Sequence, residues 1–334
     1  MPLSATGNPL HTRSLSVTLA EAPAPDVAFA AYVLDLRKRG FAPVGGDLQG
    51  TGIIHHMRLN GRLDRAAARV TAIDAEMPNV AFEASPSTGG ESCRDQIGRV
   101  AGLAGQPLDQ TWSPALGTAI GGVRGCSHIL TLAHLLAPTA RWAFAEDVRL
   151  FDGAPARRLG ERIFRRDVTL DGYEPTMGEL VFTLQLNDLH FAPAPALAAP
   201  MDRFGAQREI VARATLTMQT LELTGLELRE RVRTMSDLRT ADWVDRTADA
   251  APLVGSSLRA GITARILSLF PDPQRDAPLR DALLQLAPGL IQCFAALDIW
   301  ALFADDAAAR TTGGQPDSCW MWRAGGGLQK GRGQ

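Results

Sequence analysis

Cysteine is scarce in this chain. Its four cysteines, at positions 93, 126, 293 and 319, include no C-x-x-C pair, which argues against a disulfide framework in a protein of this length. A large excess of charge of either sign is missing too. A net charge of −2 gives no electrostatic reason to expect nucleic acid or an anionic membrane as a partner. No apolar run approaches the ~20 residues of a membrane helix. The N-terminus, MPLSATGNPLHTRSLSV, lacks a basic region followed by an apolar one, so no signal peptide is expected. Lysine is rare beside arginine, which reads as genomic base composition. A soluble, cytoplasmic protein is the expectation. The chain has 334 residues, enough for a large core in one big domain or two of ordinary size.

An internal repeat is present. YVLDLRKRGFAP (32–43) matches FTLQLNDLHFAP (182–193): Leu34, Leu36, Phe41, Ala42 and Pro43 recur as Leu184, Leu186, Phe191, Ala192 and Pro193, 150 residues on. At the same spacing Asp95, Ala101, Leu103 and Gly105 meet Asp245, Ala251, Leu253 and Gly255, and Ala137-Pro138 meets Ala287-Pro288. Separated blocks that share one spacing point to duplication.

Each copy begins with strand-like runs. VAFAAYVLDL and GELVFTLQLNDL lie between turn residues, and GIIHHMRLNGRLDRAAARVTAIDAEM and EIVARATLTMQTLELTGLELRERV read as paired long strands. Helical spacing follows in CRDQIGRVAGLAG and WVDRTADAAPLVG. SHILTLAHLLA and APLRDALLQLAPGLIQCFAAL come next, each expected to break near its Ala-Pro. The expected fold class is α+β: two related halves, each antiparallel strands followed by helices, packed about a pseudo-two-fold axis. Residues 1–150 would form the N-terminal half, 151–310 the C-terminal half and 311–334 a tail whose tryptophans dock part of it.

The polar residues do not repeat. At a spacing of 150, Cys126 meets Asp276, His128 meets Pro278 and Cys93 meets Trp243. A scaffold needs its apolar spacing in both halves, whereas one site needs its polar groups in only one, so chemistry is expected in residues 1–150. In GGVRGCSHILTLAHLL (121–136), Ser127 could cap a helix, and His128 would sit in its first turn, where the helix dipole favours the neutral imidazole of a general base. Cys126 could be a nucleophile only if its thiolate were stabilised, and a buried thiol in a tight turn is the better reading.

IIHHMRL, Ile73-Asp74 on a long strand, Cys93 ahead of RVAGLAG, and GG-x-x-GCSHIL together resemble the bacterial family called domain of unknown function 2889. Ser127 and Ile129 stand where that family has Thr and Leu. The resemblance covers roughly residues 10–145 and implies an association with pathways for aromatic or acyl compounds. It also implies one specific activity, a cofactor-free lyase that releases formaldehyde from lignin-derived phenylcoumaran dimers.

Further candidates surround this segment. His55 and His56 are neighbours on a strand, so at most one faces a given pocket. Arg94 could anchor a substrate carboxylate, while Asp95, repeated as Asp245, reads as a helix cap. Tyr173 sits beside Glu174 in DGYEP, a segment that turn chemistry already explains. Trp320, Trp322 and Arg323 suit aromatic recognition, as a lid. Zinc on His55 or His56, Cys93, Cys126 and His128 has fitting ligand types but the spacing of no compact zinc module. The Gly-rich segments 45–52 and 323–333 fit no phosphate-loop pattern.

The expected function is aromatic compound catabolism by an acid–base lyase without organic cofactor or metal. His128, His55 or His56, and Arg94 would be catalytic; Trp320, Trp322, Arg323, Tyr173 and Cys126 would bind a small aromatic substrate. Neither nucleic acid nor membrane is an expected partner, and a homodimer stays open. A zinc-dependent hydrolase and a non-catalytic aromatic-ligand-binding or assembly protein are the alternatives.

Overall fold

Strand alternation organises the chain. In β1 (Asn8–Glu21), Arg13, Leu15, Val17 and Leu19 are buried while Thr12, Ser14 and Thr18 are half-exposed. One face of this strand therefore enters a core and the other meets polar surroundings. The computed structural model describes residues 3, 5–40, 42–44, 47–294, 296 and 317–330. The C-terminal half and tail as expected from sequence thus fall in part outside the described residues, at 295, 297–316 and 331–334, as do Phe41, Gly45 and Gly46.

Four long strands come from each part of the chain. The first four are β1, β2 (Asp26–Arg37), β5 (Gly52–Asp64) and β6 (Arg69–Asn79), with a small separate hairpin of β3 (Ala42–Val44) and β4 (Asp47–Gln49). The second four are β7 (Arg162–Glu174), β8 (Glu179–Phe191), β9 (Phe204–Thr217) and β10 (Leu223–Thr234), followed by the two-residue β11 (Val244–Asp245). Among the described residues, all nine strands outside the hairpin form one antiparallel sheet, in the order β11-β10-β9-β8-β7-β1-β2-β5-β6. β1 and β7 meet at its centre.

Helices cover one face, giving an α+β fold. α1 (Trp112–Ile120) and α2 (Ser127–Phe151) lie between β6 and β7 in sequence, and α2 packs on β1, β2, β5 and β7. After β11 come α3 (Thr247–Ala250), α4 (Ile262–Leu269), α5 (Ala277–Leu283) and α6 (Leu286–Phe294); α6 packs on β7 and β1. Leu15, Val17, Val33, Met57 and Leu59 from the strands share one core with Leu132, Ala133 and Leu136 of α2 and with Leu286 and Leu290 of α6. No described helix is long and apolar enough to cross a membrane.

Several local expectations need correction. α2 does not break at Ala137-Pro138 but runs through Pro138 to Phe151. Proline costs it one backbone bond, yet Ala137, Thr139 and Ala140 stay buried around it, and that packing holds the helix together. In the second part of the chain the break does occur, between α5 and α6. Cys93–Leu103 is a 3-10 helix, opened by Ser92, whose backbone N–H donates to Asp95 at 3.0 Å; Asp95 is a cap as its recurrence suggested.

Strand registers recur at a spacing of 153, not 150: Arg13 faces Asp35 as Arg166 faces Asp188, and Asp35 faces His55 as Asp188 faces Arg208. The helical segments keep 150, with caps at Cys126 and Asp276 and prolines at 138 and 288. An odd shift moves a strand residue to the other face. Hence Leu34 and Leu36 lie half-buried on the open face, whereas Leu184 and Leu186 are buried under the helices.

One glycine sets how closely α6 approaches the sheet. A Cβ at Gly172 would stand 2.1 Å from the Cys293 sulfur and 3.3 Å from the Phe182 ring. Gly172→Ala is expected to push α6 away and to cost about 1–3 kcal/mol in urea unfolding, the usual penalty of overpacking. An unchanged midpoint would mean that this contact is not required.

Candidate active site

Five buried polar groups converge where α2 begins. His11 and Arg13 project from β1 toward the helices, Asp35 from β2 and His55 from β5. His128 comes from the first turn of α2, whose cap is Cys126. Ile54 is an extra residue in β5 opposite the Asp35–Leu36 step. Such bulges re-aim side chains, and here Ile54 and His55 are buried in succession.

The Asp35 carboxylate is the hub and is fully buried. Arg13 Nη1 lies 3.3 Å from both its oxygens. His128 Nε2 lies 3.3 Å and His55 Nδ1 3.6 Å from Oδ2, and His11 Nε2 lies 3.8 Å from Oδ1. Burial alone would push this carboxyl up; Arg13, then the hydrogen bonds from His128 and His55, overcome it and hold it well below the usual carboxylate range. Burial, helped by His55 and Arg13 and opposed by Asp35, takes His128 down to about 3. Burial takes His11 down to about 4, with Asp35 opposing. The cluster therefore sets one negative charge, on Asp35, and one positive charge, on Arg13, beside the uncharged imidazoles of His11 and His128.

An ionised carboxylate only accepts, so the nitrogens turned to it carry the protons. That assigns the His55 proton to Nδ1 and the His128 proton to Nε2. His128 Nδ1 is then the acceptor facing the Cys126 sulfur, 3.7 Å away. His55 Nε2 is neither sealed from solvent nor bonded to a described residue. It is thus a free lone pair on a ring whose other nitrogen is backed by a carboxylate. Side-chain exposures of 10% for His55 and 11% for His128 leave an approach to the two rings. From the other end of the chain, the Gln292 amide of α6 reaches within 2.9 Å of His128 Nε2; a protonated Nε2 requires that amide to turn its oxygen, not its nitrogen, toward the ring.

Asp35, His55 and His128 are also the described residues whose ligand atoms lie close enough to hold a metal, all within 4.8 Å of one another. The ring positions fit poorly. The two imidazoles are stacked, with centroids 3.8 Å apart and a tilt of 35°. A metal at ordinary Zn–N distance from both would see them at roughly 70°, well short of a tetrahedral angle. Arg13 on the same oxygens adds repulsion for a cation. The arrangement suits one carboxylate faced by two imidazole nitrogens, His128 at 3.3 Å and His55 at a longer 3.6 Å.

The other sequence candidates are dispersed. His56 points to the opposite face of the sheet, edge-on to Tyr32 at 6.5 Å and accepting from Arg58 Nε at 3.2 Å. Arg94 stands outside the cluster: its Nε donates to the Met77 carbonyl at 2.9 Å and its guanidinium pairs with Glu83. Tyr173 lies on the open face near Lys38, whose Nζ is 5.9 Å from the ring centroid. Burial pushes the Cys126 thiol up to about 11, so it rests as a thiol. Burial likewise pushes Cys93 up, and neither cysteine joins the cluster of candidate metal ligands.

Trp320, Trp322 and Arg323 dock beside the cluster and do not enter it. The Trp320 backbone N–H donates to the Gly125 carbonyl at 2.8 Å, Trp322 packs edge-on against Phe82 at 5.6 Å, and Arg323 stacks on Trp320 and pairs with Glu91. Sequence reasoning missed Asp35, Arg13, His11 and Gln292. A usable signal existed for Asp35: an acid at a position whose alternation, Val27, Phe29, Ala31, Val33, is otherwise apolar.

Residues 11–142 match the model of a family described as protein of unknown function (DUF2889). No curated protein and no solved structure matches the chain. The matched segment contains His11, Arg13, Asp35, His55, Cys126 and His128.

Proposed function

From the family match over residues 11–142 and this geometry, we propose that the protein is a cofactor-independent lyase acting by acid–base chemistry on a small aromatic molecule. The carrying observation is His55: its Nδ1 lies 3.6 Å from the buried Asp35 carboxylate with no nearer described partner, and its Nε2 has none. A carboxylate behind one imidazole nitrogen fixes the tautomer and favours the imidazolium that forms when the other takes a proton.

The reaction is release of formaldehyde from a phenylcoumaran bearing a hydroxymethyl group. His55 Nε2 takes the hydroxyl proton. The C–C bond to the hydroxymethyl carbon breaks as its oxygen forms the carbonyl of formaldehyde. The electron pair becomes a C=C bond and expels the ring oxygen as phenolate, which His55 reprotonates to phenol. His128, neutral and held by Asp35, Cys126 and Gln292, buttresses the base by stacking. Arg13 supplies the positive field that a developing oxyanion needs.

The two parts of the chain are copies about a two-fold axis through the β1–β7 pair, and only the first retains the site. Where the first has Asp35 shared by Arg13 and three histidines, the second has Arg166 bonded to Asp188 at 2.7 Å through two nitrogens, and to Asp281 and Thr139 besides. That centre is closed by its own hydrogen bonds. Its role is scaffolding, and it lends Gln292 to the working site.

The test is incubation with a phenylcoumaran dimer, following formaldehyde and the stilbene product. His55→Ala is expected to lower turnover about 10²–10⁴-fold, the usual share of a general base, and His128→Ala by a similar factor. Full turnover in both variants would overturn the assignment. Substrate retained but recovered intact would favour a binding protein. Zinc at one atom per chain in protein purified without added metal would favour a hydrolase using Asp35, His55 and His128.

A further inference from the structure

We propose a second ligand site, for a small aromatic carboxylate, on the face of the sheet opposite the histidine cluster. A cavity of about 700 Å³ opens there at the ends of β1, β7 and β8. Its floor is Thr18 and Ala20 of β1, which alternate with Val17 and Leu19 and so point away from the helices. Its walls are residues 158–161, Arg162 at the start of β7, Phe191 and Ala192 at the end of β8, and Arg203. The volume lies within the range of roughly 300–1,000 Å³ typical of small-molecule pockets.

The walls are stiff. Glu21 N–H donates to the Glu161 carbonyl and Gly160 N–H to the Glu21 carbonyl, both at 2.8 Å, fastening the segment to β1. Glu161 is used up within the wall. It accepts from Arg203 Nη1 and from Ala194 N–H at 3.2 Å each, and from Arg158 N–H at 3.0 Å. Arg158 and Arg203 are tied in turn to the carbonyls of Ala194, Pro195 and Ala196.

Arg162 differs from them. It lies 5.0 Å over the Phe191 ring and forms no ion pair with any described residue. Arg158 and Arg203 thus share the one carboxylate lining the cavity, Glu161, and Arg162 is left without a carboxylate among the described residues. A guanidinium over a phenyl ring presents its fork to a carboxylate while the ring and the neighbouring Leu159 offer apolar contact. Carboxylate on Arg162 and ring against Phe191 and Leu159 is the complement of that surface.

Titrating the whole protein with phenylacetate, and with its uncharged amide, tests this site. Saturable binding of phenylacetate at one per chain is expected, with the amide at least tenfold weaker. Arg162→Ala should weaken phenylacetate at least tenfold. Thr18→Trp should fill the cavity and abolish binding with the circular dichroism unchanged. His55→Ala should leave binding intact, which separates this site from the proposed catalytic one. Absence of saturable binding, or affinity unchanged in both Arg162→Ala and Thr18→Trp, would overturn the proposal.

Discussion

Asp35→Asn is expected to destabilise the fold by about 3–5 kcal/mol in urea unfolding, the usual cost of stranding one partner of a buried ion pair. Arg13 and Asp35 are both sealed, at 2% and 0% side-chain exposure. With the carboxylate gone, the guanidinium keeps its charge without a counter-charge, and two imidazole N–H groups compete for one amide oxygen. Turnover should fall with stability, because His55 loses the charge behind Nδ1. The double variant Arg13→Met with Asp35→Leu separates the two effects: replacing a whole buried pair by apolar residues of similar size is often neutral, so stability should return while activity does not. Wild-type stability in Asp35→Asn would show that the pair is not buried as described, and activity in the double variant would remove Asp35 from the chemistry.

Acidification from pH 8 to 5 should remove a large part of the folding free energy. His11, His128 and His190 are held neutral by burial, with values down to about 4, 3 and 4, against about 6.5 when unfolded. Below pH 6.5 the unfolded chain therefore binds more protons than the native one, and stability falls as pH falls. It is complete above 6.5 and lost progressively toward 4. Each histidine contributes about 2 kcal/mol of that loss by pH 5. Three approach 6 kcal/mol, comparable with the whole stability of an ordinary domain. Below the ordinary carboxylate range, protonation of Asp35 in the unfolded chain adds to it. Urea midpoints across this range provide the measurement. His190→Phe, in a pocket with Trp142 and Phe164, should reduce the slope by one proton, and a flat profile from pH 8 to 5 would contradict the burial.

Much of the architecture was legible in the sequence, because strand alternation and helical spacing report local burial. The α+β class, the capping role of Asp95 and the pairing of a strand histidine with His128 follow from such patterns. What escaped was non-local. Nothing near Asp35 reveals that Arg13 lies across from it, or that Gln292, 164 residues beyond His128, completes the ring's surroundings. Arg94 looked like an anchor because its partners, Met77 and Glu83, belong to a strand end and loop that spacing does not place. The half-register error came from the same source: leucines on opposite faces of two strands look identical in one dimension, and only pairing distinguishes a spacing of 150 from 153.

The β1–β7 seam has a consequence for self-association. Two separate four-stranded units would expose four unpaired strand margins, each a template for another chain. Joined at the seam, the sheet keeps β6 and β11 as its margins among the described residues. β11 is two residues long, too short to recruit a neighbour, and β6 carries Asp74, Glu76 and Pro78 along its length. Charge and a missing backbone donor blunt the longer margin, so covalent linkage of the two units doubles as protection against fibrillar growth.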